Sequence, residues 1–363
     1  MTDRRARIQG AAAAEGFGAL LLVAPANMAY VCGFRPTPYE RLIALVVPAE
    51  GPLRLVCPSL EGEAARAAVP EGSELHVWRD EEGPAAALAG GLAGLGGRVG
   101  IEKDALSVAY HELAGAACTA ASWEDCGPLL VRLRLVKDEQ ELAHLRRAAG
   151  IVDRAVGRLA GELRPGRTEA ELAALAAVFL REEGGESLAF DPAVLTGPKS
   201  ALPHGHPDGT AVAEGDLVIV DIGAAAGGYC ADITRTFVCG REPDARQREL
   251  FEVVREAERA GVRAAVAGAT GADVDRAARS VIEAAGLAEY FVHRTGHGLG
   301  LEVHEPPSLH SANGEPLPEG AVVTVEPGVY LPGNGGVRIE DDVVVRKGEP
   351  EVLTKAPIRL EPA

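Results

Sequence analysis

Four carboxylates end apolar runs in the second half of the chain, and those runs dictate most of what can form around them. Asp221 closes Leu217-Val-Ile-Val220 and Glu326 closes Val322-Val-Thr-Val325. Aliphatic runs of that length read as strands buried on both faces. Beyond each lies a glycine-rich turn and a second carboxylate: Asp232 after Ala224-Ala-Ala-Gly-Gly228, and Glu340 after Leu331-Pro-Gly-Asn-Gly-Gly336. The midpoint of the first pair falls at Ala226/Gly227 and that of the second at Gly333, which predicts two hairpins that bring each pair face to face. Directly opposed residues on antiparallel strands have Cβ atoms about 4.5–5.5 Å apart, so both members of a pair would reach common ions.

Acids that merely keep a hairpin soluble would not sit at the ends of interior strands. Buried together without compensation, four carboxylates either stay protonated or are neutralised by cations. Two divalent ions balance the four negative charges, whereas the arginines near in sequence, Arg235 and Arg338, would do so less economically. His297 supplies a fifth donor. Oxygen-dominated ligation with one imidazole suits Mn²⁺, Co²⁺ or Zn²⁺ better than copper, and the absence of a thiolate cluster disfavours a structural zinc. Two ions about 3.5–4 Å apart lower the pKa of a shared water and polarise a carbonyl, which makes hydrolysis the natural chemistry and redox the less natural one.

At 363 residues the chain exceeds what one core usually serves, and its 47% hydrophobic content can fill two. With 36 basic against 53 acidic residues, the net charge of −17 argues against phosphate-backbone binding, and no nucleic-acid partner is expected. The six cysteines, Cys32, Cys57, Cys118, Cys126, Cys230 and Cys239, form no CxxC pair and are too sparse for a disulfide scaffold, so a cytoplasmic location is expected. Arg4-Arg5-Ala-Arg7 and the later Gly18-Ala-Leu-Leu-Leu-Val23 imitate a secretory signal, but Glu15, Gly16 and Gly18 interrupt the apolar stretch. An amphipathic helix leading into a buried strand explains it better. No run approaches the roughly 18 apolar residues of a membrane span, and no membrane partner is expected.

Residues 1 to 135 alternate short aliphatic runs with alanine-rich stretches. Strands are predicted near 19–23, 42–47, 53–57, 75–78 and 98–101, and helices near 60–69, 84–92 and 107–117, the pattern of an α/β layer domain. Gly90 to Gly100 lacks Gly-Lys-Ser/Thr and precedes a strand, so it reads as a turn rather than a phosphate loop. The texture changes at Lys137-Asp138-Glu139, where a long helix begins that runs through Leu163, with Pro165-Gly166 beyond it. A domain boundary there gives domains of 1–135 and 136–363. Thr168-x-x-Glu171 has the form of a capping box for a helix over 168–183, and two further helices are predicted near 243–266 and 272–285.

Of nine histidines, six lie from His204 to His310. His76, His111 and His144 read as structural or surface groups. His293-Arg-Thr-Gly-His297-Gly-Leu-Gly-Leu-Glu-Val-His304-Glu305 crowds three imidazoles among glycines that allow close backbone approach. A packed strand or helix has little use for that composition.

Taken in order, Asp221-Ile-Gly, Gly228-Tyr-Cys-Ala-Asp232-Ile-Thr-Arg-Thr, the His293 to Glu305 segment, Thr324-Val-Glu326-Pro-Gly and Val337-Arg-Ile-Glu340-Asp-Asp resemble the pita-bread metallopeptidases, in their Xaa-Pro aminopeptidase and prolidase branch. Asn27-Met-Ala-Tyr30-Val-Cys-Gly33-Phe34 is similar to the creatinase/prolidase N-terminal domain. The resemblance implies an α/β N-terminal domain and an α+β pita-bread catalytic domain with an antiparallel sheet flanked by helices. It implies that Asp221 chelates one ion, that Asp232 and Glu340 bridge, and that His297 and Glu326 complete the other. Glu326 would also take the proton of the attacking water. His204, His293 and His304 would bind substrate and stabilise the tetrahedral intermediate, with Arg338 and Tyr330 in supporting or substrate-contacting positions. His206 and His310 match nothing in the family and read as solvent-facing or local loop groups. Two divalent ions are expected, Mn²⁺ ahead of Co²⁺ and Zn²⁺, together with a proline-containing di- or oligopeptide substrate and a homodimer. A metal-retaining enzyme of the same fold that is not a peptidase, such as a creatinase-like or ectoine-type hydrolase or a lyase, is the alternative. A methionine aminopeptidase or a metal-free peptide-binding module fits less well.

Overall fold

The computed structural model describes residues 4–361. These form two compact units, one reaching Arg134 and one beginning at Leu135.

In the first unit, strands β1 (Ala19–Leu22), β2 (Ala44–Pro48), β3 (Arg54–Pro58), β4 (Glu74–Trp78), β5 (Gly97–Ile101) and β6 (Ala121–Asp125) form a sheet in the order β4-β3-β2-β1-β5-β6. The sheet is mixed, because β2 runs antiparallel to both β1 and β3 while the remaining pairs are parallel. Leu21, Val46, Val56, Trp78 and Val99 are buried against Leu88 and Leu92. The basic N-terminal stretch is a helix, Arg4–Ala14, that buries Ile8 and Ala12 and leads into β1. The segment Pro25–Cys32, which has no predicted structure, is also a helix, with Pro at its start and a left-handed Gly33 (φ 79°) at its end. Glu102 holds the chain that leads into it, accepting from Val23 N, from Ala24 N at 2.8 Å and from the Asn27 side chain at 2.5 Å.

The second unit holds strands β7 (Ser187–Leu188), β8 (Ala193–Thr196), β9 (Leu217–Ala226), β10 (Tyr229–Val238), β11 (Gly296–Gly298), β12 (Glu305–Leu309), β13 (Val322–Val325), β14 (Gly328–Leu331), β15 (Gly335–Arg338), β16 (Asp341–Val344) and β17 (Glu351–Val352). One sheet is ordered β10-β9-β7 with β8 also on β9, a second runs β12-β11-β13-β16-β17, and β14 and β15 form a hairpin. Every pairing between these strands is antiparallel. The helices start at side-chain caps that the sequence spells out: Asp138/Glu141, Thr168/Glu171, Asp244/Gln247 and Thr270/Asp273 each close a reciprocal capping box. Helices Ala245–Ala264 and Gly271–Ala284 turn Leu250, Phe251, Val254 and Ile282 onto Val238, Val329, Val337 and Ile339. Each large side chain so buried contributes about 1.5–3 kcal/mol. That core lies behind the strands that carry the carboxylates.

Candidate metal centre

The two ten-residue strands β9 and β10 are joined by Gly227 and Gly228, with φ of 58° and 79°. Positive φ at both central positions is the type I′ geometry, which glycine enters without steric cost. The turn is therefore centred one residue later than predicted, and the register pairs Asp221 with Thr234 and Asp232 with Gly223. The two aspartates are diagonal neighbours on one face, not directly opposed. The second pair keeps a single register across a break: Val325 pairs with Asp341 in one ladder and Gly328 with Arg338 in the next. Glu326 and Glu340 stand opposite each other between them. An isolated bridge from Thr234 to Glu340 joins the two carboxylate-bearing sheets.

His297 enters between Gly296 and Gly298 on β11. A Cβ on Gly296 would collide with the Thr324 carbonyl, and one on Gly298 with the Pro306 carbonyl. Only glycine lets the neighbouring backbones close around the imidazole. Arg279, on the helix Gly271–Ala284, donates to the carbonyls of Phe291 at 3.0 Å and His293 at 2.9 Å, which fixes the approach to this segment.

Asp232, His297 and Glu340 are buried and offer ligand atoms all within 4.8 Å of one another. His297 Nε2 lies 3.4 Å from Glu326 Oε1 and 4.0 Å from Asp232 Oδ2. Its Nδ1 is 3.0 Å from the Gly298 carbonyl, which requires Nδ1 to carry the proton and leaves the Nε2 lone pair aimed at the carboxylates. Burial lowers the His297 pKa to about 3, so the ring is neutral. A lone pair facing carboxylates is repulsive unless a cation or proton stands between them. Asp221 Oδ1, Asp232 Oδ1 and Glu340 Oε1 are buried and without a hydrogen-bond partner, a costly arrangement in a protein interior. Burial and then the neighbouring acids push the pKa values of Asp232 and Glu340 well up. Glu326 is raised to about 7, chiefly by burial. Unpaired hard oxygens and one neutral imidazole fit divalent ions.

Arg338 offsets one of the acids, donating to Asp221 Oδ2 at 2.5 Å, while Thr234 Oγ1 donates to Glu340 Oε2 at 2.6 Å. From Arg338 a chain of hydrogen bonds runs through Tyr330 OH at 3.0 Å to His293 Nε2, 2.8 Å further on. His293 Nδ1 meets the Arg294 carbonyl at 2.7 Å, so both of its ring nitrogens are engaged. Burial holds its pKa down at about 4. His304 packs edge-on to His297 with ring centroids 4.3 Å apart, and His204 stands on the wall with Pro203. Neither makes a hydrogen bond among the described residues. The five candidate ligands, Arg338, His204, His293 and His304 open onto a cavity of about 410 Å³ whose apolar walls are Phe190, Pro203 and Val303. His206 and His310 stay outside its lining: the ring of His206 is exposed, and His310 Nδ1 accepts from Ala312 N at 3.1 Å within its own loop.

Phe190, Val303, Arg294 and Thr234 take part in the site without having been singled out in the sequence. Thr234 lies two residues after Asp232 on the same strand face, a period-2 signal that could have found it. No comparable pattern marks Phe190. Arg235, the other arginine near the acids, points away from them: it donates to Asp341 Oδ1 at 2.8 Å and to the Glu340 carbonyl at 2.7 Å, behind the strands.

Residues 143–347 match metallopeptidase family M24, and residues 4–136 match the creatinase/prolidase N-terminal domain. The chain belongs to family M24. This M24 chain has the two-domain pita-bread architecture of solved prolidases. It is similar to a prolidase from Thermococcus sibiricus, with a TM-score of 0.92 and 35% identity over 98% of this chain and 97% of that one. An Xaa-Pro dipeptidase from Bacillus anthracis gives a TM-score of 0.89 at 34% identity, covering 98% of each chain. An X-Pro aminopeptidase from Thermotoga maritima gives 0.84 at 34% identity, covering 95% of this chain and 97% of that one. No helix among the described residues of the M24 chain is long and apolar enough to cross a membrane.

Proposed function

We propose that this M24 enzyme hydrolyses the bond between an N-terminal residue and proline in Xaa-Pro dipeptides. The observation that carries the reading is the buried set Asp232, His297 and Glu340 with unpaired oxygens around it, in a chain alike over nearly its whole length to a prolidase and an Xaa-Pro dipeptidase. Asp221, Asp232, His297, Glu326 and Glu340 would hold two divalent ions, with Mn²⁺ placed first. Such ions supply Lewis acidity that lowers the pKa of a water and polarises the scissile carbonyl.

The side chains do the rest. Glu326 accepts the proton of the attacking water and returns it to the proline nitrogen, serving first as base and then as acid. His204 and His304 have ring nitrogens free to meet the substrate, whereas His293, tied at both nitrogens, acts by holding Tyr330 and through it Arg338. Proline explains the need for such a site. The Xaa-Pro bond has no N–H, so a protease that reads its substrate as an added strand loses a donor. We assign catalysis to a domain of residues 136–363, and to residues 1–135 the pairing of two copies into a cytoplasmic homodimer.

The test is turnover of Gly-Pro, Ala-Pro and an Xaa-Pro-Pro tripeptide by metal-stripped protein, before and after Mn²⁺, Co²⁺ or Zn²⁺ is restored. Metal-dependent cleavage of the dipeptides is expected. No hydrolysis with any metal would overturn the reading, and cleavage of the tripeptide alone would make the enzyme an aminopeptidase.

A further inference from the structure

His204 has no hydrogen bond to hold its ring, yet it lines the cavity from an irregular loop, residues 202–210. What fixes that loop lies at its base. Lys199 Nζ lies 2.5 Å from Glu169 Oε2 and 2.9 Å from Asp208 Oδ2, and donates to the His206 carbonyl at 3.1 Å. An ammonium has three N–H donors, and all of them are used. The anchors straddle His204: Lys199 precedes it, and His206 and Asp208 follow it. Glu169 is fully buried at the first position of the helix Glu169–Glu182, where the helix dipole favours a carboxylate. Its other oxygen accepts from Thr196 N at 2.9 Å, and Oε2 also accepts from Asp208 N at 3.2 Å.

We propose that Lys199 is a positioning residue for His204, clamping both flanks of its loop onto the buried Glu169 carboxylate. The clamp sets where the imidazole stands, and so whether it can meet the developing oxyanion. The catalytic consequence rests on the hydrolase reading above; the structural one does not. Lys199 is partly exposed and Asp208 largely so; Lys199→Gln keeps an N–H donor for the buried Glu169 but removes its counter-charge, so its melting temperature is recorded alongside, and Asp208→Ala loosens the clamp without touching that charge.

Two measurements on the full-length protein test it. In hydrogen–deuterium exchange, Lys199→Gln should speed exchange in peptides spanning 200–210 and nowhere in the metal-bearing strands. Asp208→Ala should act in the same direction, more weakly. In steady-state kinetics on the dipeptide that the wild type cleaves, Lys199→Gln should lower kcat about tenfold or more, because a small misplacement of a catalytic group is costly. KM and the dissociation constant for Mn²⁺ should stay within about twofold of wild type. In a His204→Ala background the same substitution should cost no more than about twofold, since two residues acting as one unit are not additive. Unchanged exchange in 200–210, or losses that multiply in the double variant, would overturn the proposal. If the wild type cleaves no Xaa-Pro peptide, the functional reading falls, and the exchange measurement alone decides on the clamp.

Discussion

Asp232 is the most exacting residue of the site. It is buried, sits 4.0 Å from His297 Nε2 and has one oxygen with no partner. Asp232→Asn keeps the shape and removes the charge. Metal-dependent turnover is expected to fall by more than the ~100-fold that loss of a metal site's outer partners costs, and retained activity would refute its role. The residue types were legible because charge at the end of an interior strand demands a counter-charge. Partnerships were less so. Arg338 and Arg235 look equivalent in sequence, but one faces Asp221 and the other faces Asp341 behind the strand. Side-chain alternation separates them only once the strand register is known.

At the scale of elements, the glycines of β11 and the helix behind β16 make different demands. Gly296→Ala forces a methyl into the Thr324 carbonyl. Overpacking of that kind costs about 1–3 kcal/mol, and because His297 is the next residue, Mn²⁺ affinity measured by titration calorimetry should fall with the melting temperature. An unchanged affinity would show that the strand absorbs the methyl elsewhere. Glu258, on the helix Ala245–Ala264, is buried against Asp341 with Arg235 and Arg259 nearby, and burial raises its pKa to about 8. A carboxyl whose pKa is higher folded than unfolded binds more protons in the folded state. Its stabilising contribution is complete below its ordinary value and is lost as pH rises through about 8. Between about pH 6 and pH 9 wild-type stability in denaturant should therefore fall by on the order of 1–3 kcal/mol more than that of Glu258→Gln; parallel pH profiles in the two proteins would assign the loss to other groups. The helix Glu169–Glu182 was readable from its capping box of Thr168 and Glu171, whereas the boxes at Asp138, Asp244 and Thr270 emerged with the structure. Helix Pro25–Cys32 was not readable, since it has no side-chain cap and Glu102, which holds Ala24 and Asn27, comes from far along the chain.

For the whole molecule, ions that bind the folded chain alone must stabilise it. At a hundredfold excess over the dissociation constant one site contributes about 2.7 kcal/mol, so Mn²⁺ should raise the melting temperature of metal-stripped protein by several degrees. Asp232→Asn should lose most of that rise. A wild-type melting temperature indifferent to Mn²⁺, Co²⁺ and Zn²⁺ would contradict the assignment of these buried, unpaired oxygens to metal ligation. The five candidate ligands, the antiparallel hairpins and most of the long helices could be read from the chain by itself, because burial of charge, turn glycines and hydrophobic periodicity are local rules written in residue type and spacing. The diagonal offset of Asp221 and Asp232, the seam at Thr234 and Glu340, the tying of both His293 nitrogens and the clamp on the His204 loop were settled only by tertiary structure. Each depends on a register or an orientation, and a shift of one residue in a strand or turn moves a side chain to another face without changing the sequence that encodes it.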